Sequence, residues 1–139
     1  MAERPVPVPD EISWPFWDGT ASHKLVLARC SICSQLNHPP DPVCAHCFCM
    51  EPDYEWTSVD GSGIVRSWTI VRQSFLPGFD VPFALVDVEL TVQRNLRLIG
   101  RLLDGPDAVL QAGDSVELAF EDLTPDIAVP AFTLRSPRE

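Results

Sequence analysis

The sequence has no apolar run long enough to cross a bilayer as a helix, so a membrane partner is not expected. It is poor in cations: 10 Lys and Arg stand against 20 Asp and Glu, a formal net charge of −10. A polyanion partner needs a basic face, so this balance argues against nucleic acid. Arg66, Arg72, Arg94, Arg97 and Arg101 form a local basic set, but the field of the whole chain opposes it. The first residues, Met-Ala-Glu-Arg-Pro-Val-Pro-Val-Pro, lack the apolar centre of a secretory leader. The expectation is therefore a cytoplasmic, reducing setting in which thiols stay free for metal. Long helices are excluded by 14 prolines, which concentrate at the N-terminus, at Pro39-Pro40-Asp41-Pro42 and near the C-terminus. What remains is a chain of 139 residues, 45% hydrophobic, enough for one modest domain or two small modules sharing a core.

Against that background the cysteines stand out. Cys30-Ser31-Ile32-Cys33 and Cys44-Ala45-His46-Cys47 are two Cys-x-x-Cys pairs with ten residues between them. Each pair can place two sulfurs on one side of a tight knuckle, and two facing knuckles complete a tetrahedral shell. One such pair is a weak signal; two within a span of 18 residues are a strong one. Two disulfides are the plainer alternative, and iron competes with zinc because it also accepts four thiolates. A closed shell leaves no position for water or substrate, so the metal's expected role is folding. Cys49, two residues beyond Cys47, is open to three readings: a substitute ligand, a buried thiol or a reactive one. His38 and His46 are close enough to ligate, but four cysteines already satisfy the ion.

Three segments are expected: a Pro-rich arm and short helix over 1–22, a zinc ribbon over 23–57, and a small barrel over 58–139. The helix lies in residues 10–22, capped by Asp10 or Ser13 and started by Pro15. It carries Trp14, Phe16 and Trp17, an aromatic load that either packs on its own chain or anchors a partner. Residues 25–29 read as a strand entering the first knuckle, and 54–56 as one leaving the second. From residue 61 the period becomes two. Ile64, Arg66, Trp68, Ile70 and Arg72 share one face. Ala84, Val86, Val88 and Leu90 form an inner face, as do Leu96, Leu98, Gly100 and Leu102, and then Val116, Leu118 and Phe120. A short last strand covers about 132–135. Five short strands separated by turns predict an antiparallel, OB-fold-like barrel, with Gly61, Gly63 and Gly100 as candidate bulges or bends. The loop from Gln73 to Asp80 carries Phe75 and Phe79 beside a Pro-Gly turn, an apolar load for a loop that faces water.

No nucleophile, base and oxyanion donor can be assembled from this chain. Cys49 with His46 is a tempting pair, but neighbours inside a knuckle are poorly placed for chemistry. Asp87 and Glu89 share one face of a strand, where two carboxylates either do acid–base work or are simply solvated.

The order of these parts resembles the acyl-CoA-associated family in which a rubredoxin-like zinc ribbon precedes an OB-fold. The matching residues are Phe16-Trp17-Asp18-Gly19, Leu25 to Cys33, His38-Pro39-Pro40 and Cys44 to Cys47. In the barrel they are Gly61 to Val71, Pro82 to Leu90 and Gly113 to Leu118. Phe48-Cys49 departs from the glycine and small residue usual in the family. The resemblance implies zinc held by Cys30, Cys33, Cys44 and Cys47, and a non-catalytic accessory subunit in a hetero-oligomer with a thiolase-like protein. The partner would do acyl transfer or retro-aldol cleavage, with steroid side-chain breakdown among the family's settings. A CoA thioester would be the shared ligand. Phe75 and Phe79 would line the acyl path, Arg66 or Arg72 would meet CoA phosphates, and Trp14, Phe16 and Trp17 would contact the partner. The runner-up is a ribbon and OB-fold protein for single-stranded nucleic acid, with Trp68 and the strand arginines as its groove.

Overall fold

The computed structural model describes residues 4–135. The outer ends of the expected first and last segments, residues 1–3 and 136–139, lie outside the described residues. The chain forms one helix, α1 (Trp14–Ala21), then three strands, β1 (Leu25–Arg29), β2 (Leu36–Asn37) and β3 (Glu55–Val59). Five more strands follow: β4 (Gly63–Val71), β5 (Phe83–Leu90), β6 (Arg97–Leu102), β7 (Ser115–Thr124) and β8 (Ile127–Leu134). The first three strands make a sheet of order β2-β1-β3, and the last five close into a barrel of order β4-β5-β6-β8-β7. The β6–β8 pair is parallel and the other barrel pairs are antiparallel. That connectivity is the OB-fold expected from the strand count.

The helix begins where a local turn prepares it. Asp10 Oδ1 accepts from the Ile12 and Ser13 amides at 3.0 and 2.7 Å, and Ser13 is the N-cap residue. Pro15 sits in the first turn, where no amide donor is missed. Phe16, Gly19 and Thr20, spaced three and four apart, form its buried face against β1 and β8. Phe16 is only 6% exposed and belongs to the core, with Trp17 packed against it. The helix, ribbon and barrel share one hydrophobic cluster, in which Leu25, Leu27 and Leu36 meet Val65, Val86, Val88, Leu102 and Phe132. Burial of that apolar surface is the main term holding ribbon to barrel.

Two local features depart from the expected period. Arg66 is an extra residue, a bulge between Val65 and Ser67. Val65 faces Val88, and beyond the bulge Trp68 faces Val86 and Ile70 faces Ala84. Val65, Trp68 and Ile70 therefore share one face, on which Trp68 stays 41% exposed, and Arg66 drops out of the face it was expected to share. The glycines do not supply this bend. Gly63 pairs with Leu90 of β5 and Val116 of β7, at the seam where the barrel closes. A Cβ there would lie 2.5 Å from Val88 Cγ1 and 2.6 Å from the Glu89 carbonyl oxygen. The last strand is also longer than expected, running from Ile127. Pro130 disguised it, yet this proline lies opposite Phe120 before β8 meets β6 at Ala131, so only one neighbour is present there.

Gly63→Ala should destabilise the chain by about 1–3 kcal/mol, because backbone as well as a side chain would have to move. A lower urea midpoint with unchanged metal content is the expected reading.

Candidate metal centre

The two knuckles repeat one hydrogen-bond pattern. The Ser34 amide donates to the Cys30 carbonyl at 2.9 Å, and the Phe48 amide to the Cys44 carbonyl at 3.0 Å. The Cys30 amide donates to the Gln35 carbonyl at 2.9 Å, and the Cys44 amide to the Cys49 carbonyl at 3.0 Å. Ser34 and Phe48 both have left-handed backbone, φ 66° and 61°. Each knuckle thus needs a left-handed residue just after its second cysteine, the place where glycine is cheapest. Phe48 holds it without glycine, and its side chain is 74% exposed.

The ligand atoms of Cys30, Cys33, Cys44 and Cys47 all lie within 4.8 Å of one another. Cys30 and Cys47 sulfurs are 3.8 Å apart, Cys33 and Cys44 sulfurs 3.6 Å. A tetrahedron with metal–sulfur bonds of about 2.3 Å has edges of roughly 3.8 Å, so the donor set fits a four-thiolate ion such as zinc. The Ile32 and His46 amides donate to Cys30 and Cys44 sulfurs at 3.4 Å, the contacts that steady thiolates. Burial works against ionisation of Cys44, but donors from the Cys47 and His46 amides, from Asn37 and from Cys33 bring its pKa down to about 6. The Cys49 amide favours the Cys47 thiolate, yet burial and the three neighbouring sulfurs push it up to about 12. The Gln35 amide and the Cys47 sulfur favour the Cys33 thiolate, but burial and the Cys44 and Cys30 sulfurs raise its pKa on balance. Four sulfurs this close give up a first proton easily and a last one only to a cation.

Cys49 stands outside this cluster; its carbonyl closes the second knuckle, as Gln35 closes the first. Neither histidine joins the sulfurs. His46 Nε2 donates to the Leu36 carbonyl at 3.0 Å. His38 stacks on Phe16 with centroids 5.0 Å apart, and burial holds its pKa below the ordinary value. Asn37 was not singled out by sequence. It is almost fully buried, accepts from the Ala45 amide at 2.9 Å and reaches Cys44 Sγ with Nδ2 at 3.5 Å. A polar Asn37-His38 pair between apolar Leu36 and a Pro-rich turn was the available signal.

The remaining candidates separate. Of the three helix aromatics, Trp14 faces out at 55% exposure, while Phe16 is a core residue and cannot serve as a free anchor. Trp17 is half-buried against the same core. In the β4–β5 loop, Phe75 and Leu76 are exposed at 88% and 56%. Phe79 is not free: it stacks on Phe83, with centroids 5.9 Å apart, and the Arg4 guanidinium lies 4.8 Å above its ring. These two contacts brace the loop. Arg66 pairs with Glu89 at 3.6 Å, Arg97 with Asp87 at 2.6 Å, and Arg101 with Glu121. Arg72 remains exposed at the mouth of the aromatic loop. The Asn95 amide, and then Arg66, Arg97 and Arg94, lower the Glu89 pKa against the pull of burial. With an arginine beside each, Asp87 and Glu89 are ion-pair partners, not an acid–base couple. Among the described residues no helix is long and apolar enough to cross a membrane.

Residues 17–48 match the family model described as ChsH2, rubredoxin-like zinc ribbon domain, and residues 56–121 match ChsH2, C-terminal OB-fold domain. The chain is 31% identical over 127 residues to a probable enoyl-CoA hydratase alpha subunit of Thermomonospora curvata, covering 89% of this chain and 38% of that protein. It is 32% identical over 117 residues to the 3-oxo-4,17-pregnadiene-20-carboxyl-CoA hydratase alpha subunit of Mycobacterium tuberculosis, covering 84% and 36%. It thus spans less than two fifths of the length of these relatives. Among solved structures it resembles a chain of the Ltp2-ChsH2(DUF35) aldolase, with TM-score 0.78, 28% identity, and 92% of this chain and 98% of that one covered. A DUF35-family protein of Sulfolobus solfataricus has TM-score 0.60 at 16% identity, over 90% and 86% of the two chains, a likeness of fold alone.

Phe48→Gly should keep full metal content and raise stability by up to about 1 kcal/mol, since it relieves a left-handed aromatic and gives up little buried surface. Phe48→Val, β-branched at the same φ, should lower it. Thermal melts of the metal-loaded variants provide the check.

Proposed function

The chain belongs to the family defined by the rubredoxin-like zinc ribbon and C-terminal OB-fold of ChsH2, and from that premise we propose that it is an accessory subunit of a thiolase-like acyl-CoA enzyme. The observation that carries this reading is the match over nearly the whole of both chains to one chain of the Ltp2-ChsH2(DUF35) aldolase. The curated relatives add a CoA-linked steroid substrate in one case, which favours steroid side-chain degradation as the setting. The catalytic groups are the partner's. Zinc is the resident ion, and when bound it supplies folding free energy rather than chemistry.

What this chain's own residues contribute is position and cover. The four cysteines would fix the ribbon through their ion, and the closed barrel carries the β4–β5 loop between two of its strands. Arg4 and Phe83 grip Phe79, which leaves Phe75 and Leu76 presented to a partner. Apolar side chains held this far into water gain most by being covered, and they suit the wall of an acyl channel. Arg72, exposed beside them, is the candidate for CoA phosphate. An open cleft of about 500 Å³ lies at Ala21, His23 and Asp122 to Pro125. His23 is paired there with Asp122 at 2.8 Å, and the Thr124 hydroxyl already accepts from the Asp126 and Ile127 amides. That cleft offers no nucleophile. The nucleic-acid reading loses its groove, since the barrel-strand arginines Arg66, Arg97 and Arg101 are each paired with a carboxylate of the same chain.

The test is reconstitution with the thiolase-like protein of the same host. Phe75→Ala combined with Leu76→Ala should fold and load metal normally, yet weaken assembly at least tenfold and lower the activity of the complex. Wild-type assembly and activity would discard the loop's role.

A further inference from the structure

Three consecutive residues join both knuckles to the barrel. The Gln35 carbonyl receives the Cys30 amide at 2.9 Å. The next residue, Leu36, is 1% exposed, and its backbone is held on the barrel side by the carboxamide of Gln93. The Leu36 amide donates to Gln93 Oε1 at 2.8 Å, and Gln93 Nε2 donates to the Leu36 carbonyl at 2.9 Å. On its other side β2 pairs with β1, Arg29 opposite Leu36 and Ala28 opposite Asn37. Gln93 therefore stands where a further strand would, satisfying both backbone groups of Leu36 with one side chain. The third residue, Asn37, braces Cys44 and Ala45 of the second knuckle. His46, from inside that knuckle, returns to the same Leu36 carbonyl.

We propose that β2 is a mechanical link between the metal centre and the β5–β6 loop, with Asn37 and Gln93 as positioning residues at its two ends. The inference rests on the ribbon holding a metal. Binding of the ion orders the knuckles, the knuckles hold residues 35–37 in register, and that register presents both Leu36 backbone groups to Gln93. The coupling is reciprocal: a loop residue that fits only the ordered β2 strengthens metal binding without touching a ligand. Gln93 lies in a turn of the barrel, 46 residues beyond the last ligand in sequence, so a ligand-set argument assigns it no part in metal affinity.

The experiment is competition for Co(II) between the full chain and a chromophoric chelator, read together with the thiolate-to-cobalt absorption band. Asn37→Ala should weaken Co(II) binding by about tenfold to a hundredfold and shift that band, because a donor to Cys44 is gone. Gln93→Ala should weaken binding by about fivefold to thirtyfold with the band unmoved, since two hydrogen bonds are lost while the ligands are intact. Val92→Ala, an exposed neighbour in the same loop, should bind as wild type. The double variant should lose less than the product of the two single losses, the mark of a shared element. Wild-type affinity in Gln93→Ala, or losses that simply multiply, would overturn the link. A wild-type chain that takes up no Co(II) would instead overturn the metal reading beneath it.

Discussion

Four cysteine sulfurs crowded within 4.8 Å of one another set the terms for this fold. They cannot all be thiolates without a cation, and the spread from about 6 at Cys44 to about 12 at Cys47 expresses that conflict. A divalent ion resolves it and turns two loops into one rigid body. The ribbon has little else: its sheet has three strands, one of them two residues long, and its apolar faces reach completion only against α1 and the barrel. An ion held by the four sulfurs would fix the knuckles, and with them the surface that β2 and β1 offer to the rest of the chain.

The barrel answers a different constraint. Five strands close only if the first bends, and the extra residue at Arg66 provides the bend while turning its side chain toward Glu89. The loop that joins β4 to β5 leaves Phe75 and Leu76 exposed. A closed barrel, a four-cysteine cluster and an exposed apolar loop are the features on which the proposed accessory role rests.

Much of this was legible in sequence because it rests on short-range chemistry. The two cysteine pairs stand out by spacing, although Cys49 stayed open as a substitute ligand, and the inner faces of β5 and β6 follow from strict alternation at Ala84 to Leu90 and Leu98 to Leu102. What was hidden depends on contacts distant in the chain. The bulge at Arg66 is written in no local pattern, so the face of β4 was misassigned beyond Val65. Phe16 and Trp17 carry the composition of an interface and turn out to fill the space between α1, β1 and β8. Gln93 and Asn37 look like ordinary polar loop residues until the fold brings one to the Leu36 backbone and the other to Cys44. Cys49 contributes a carbonyl, not a thiol, to the second knuckle, which no cysteine count distinguishes.

The accessory role is tested most directly by isolating the chain from its native host under conditions that retain complexes, identifying what accompanies it and measuring the mass of the assembly. A thiolase-like protein in stoichiometric amount, in a hetero-oligomer that carries the acyl-CoA chemistry, is the expected result. A lone chain, or one loaded with nucleic acid that salt removes, would contradict it.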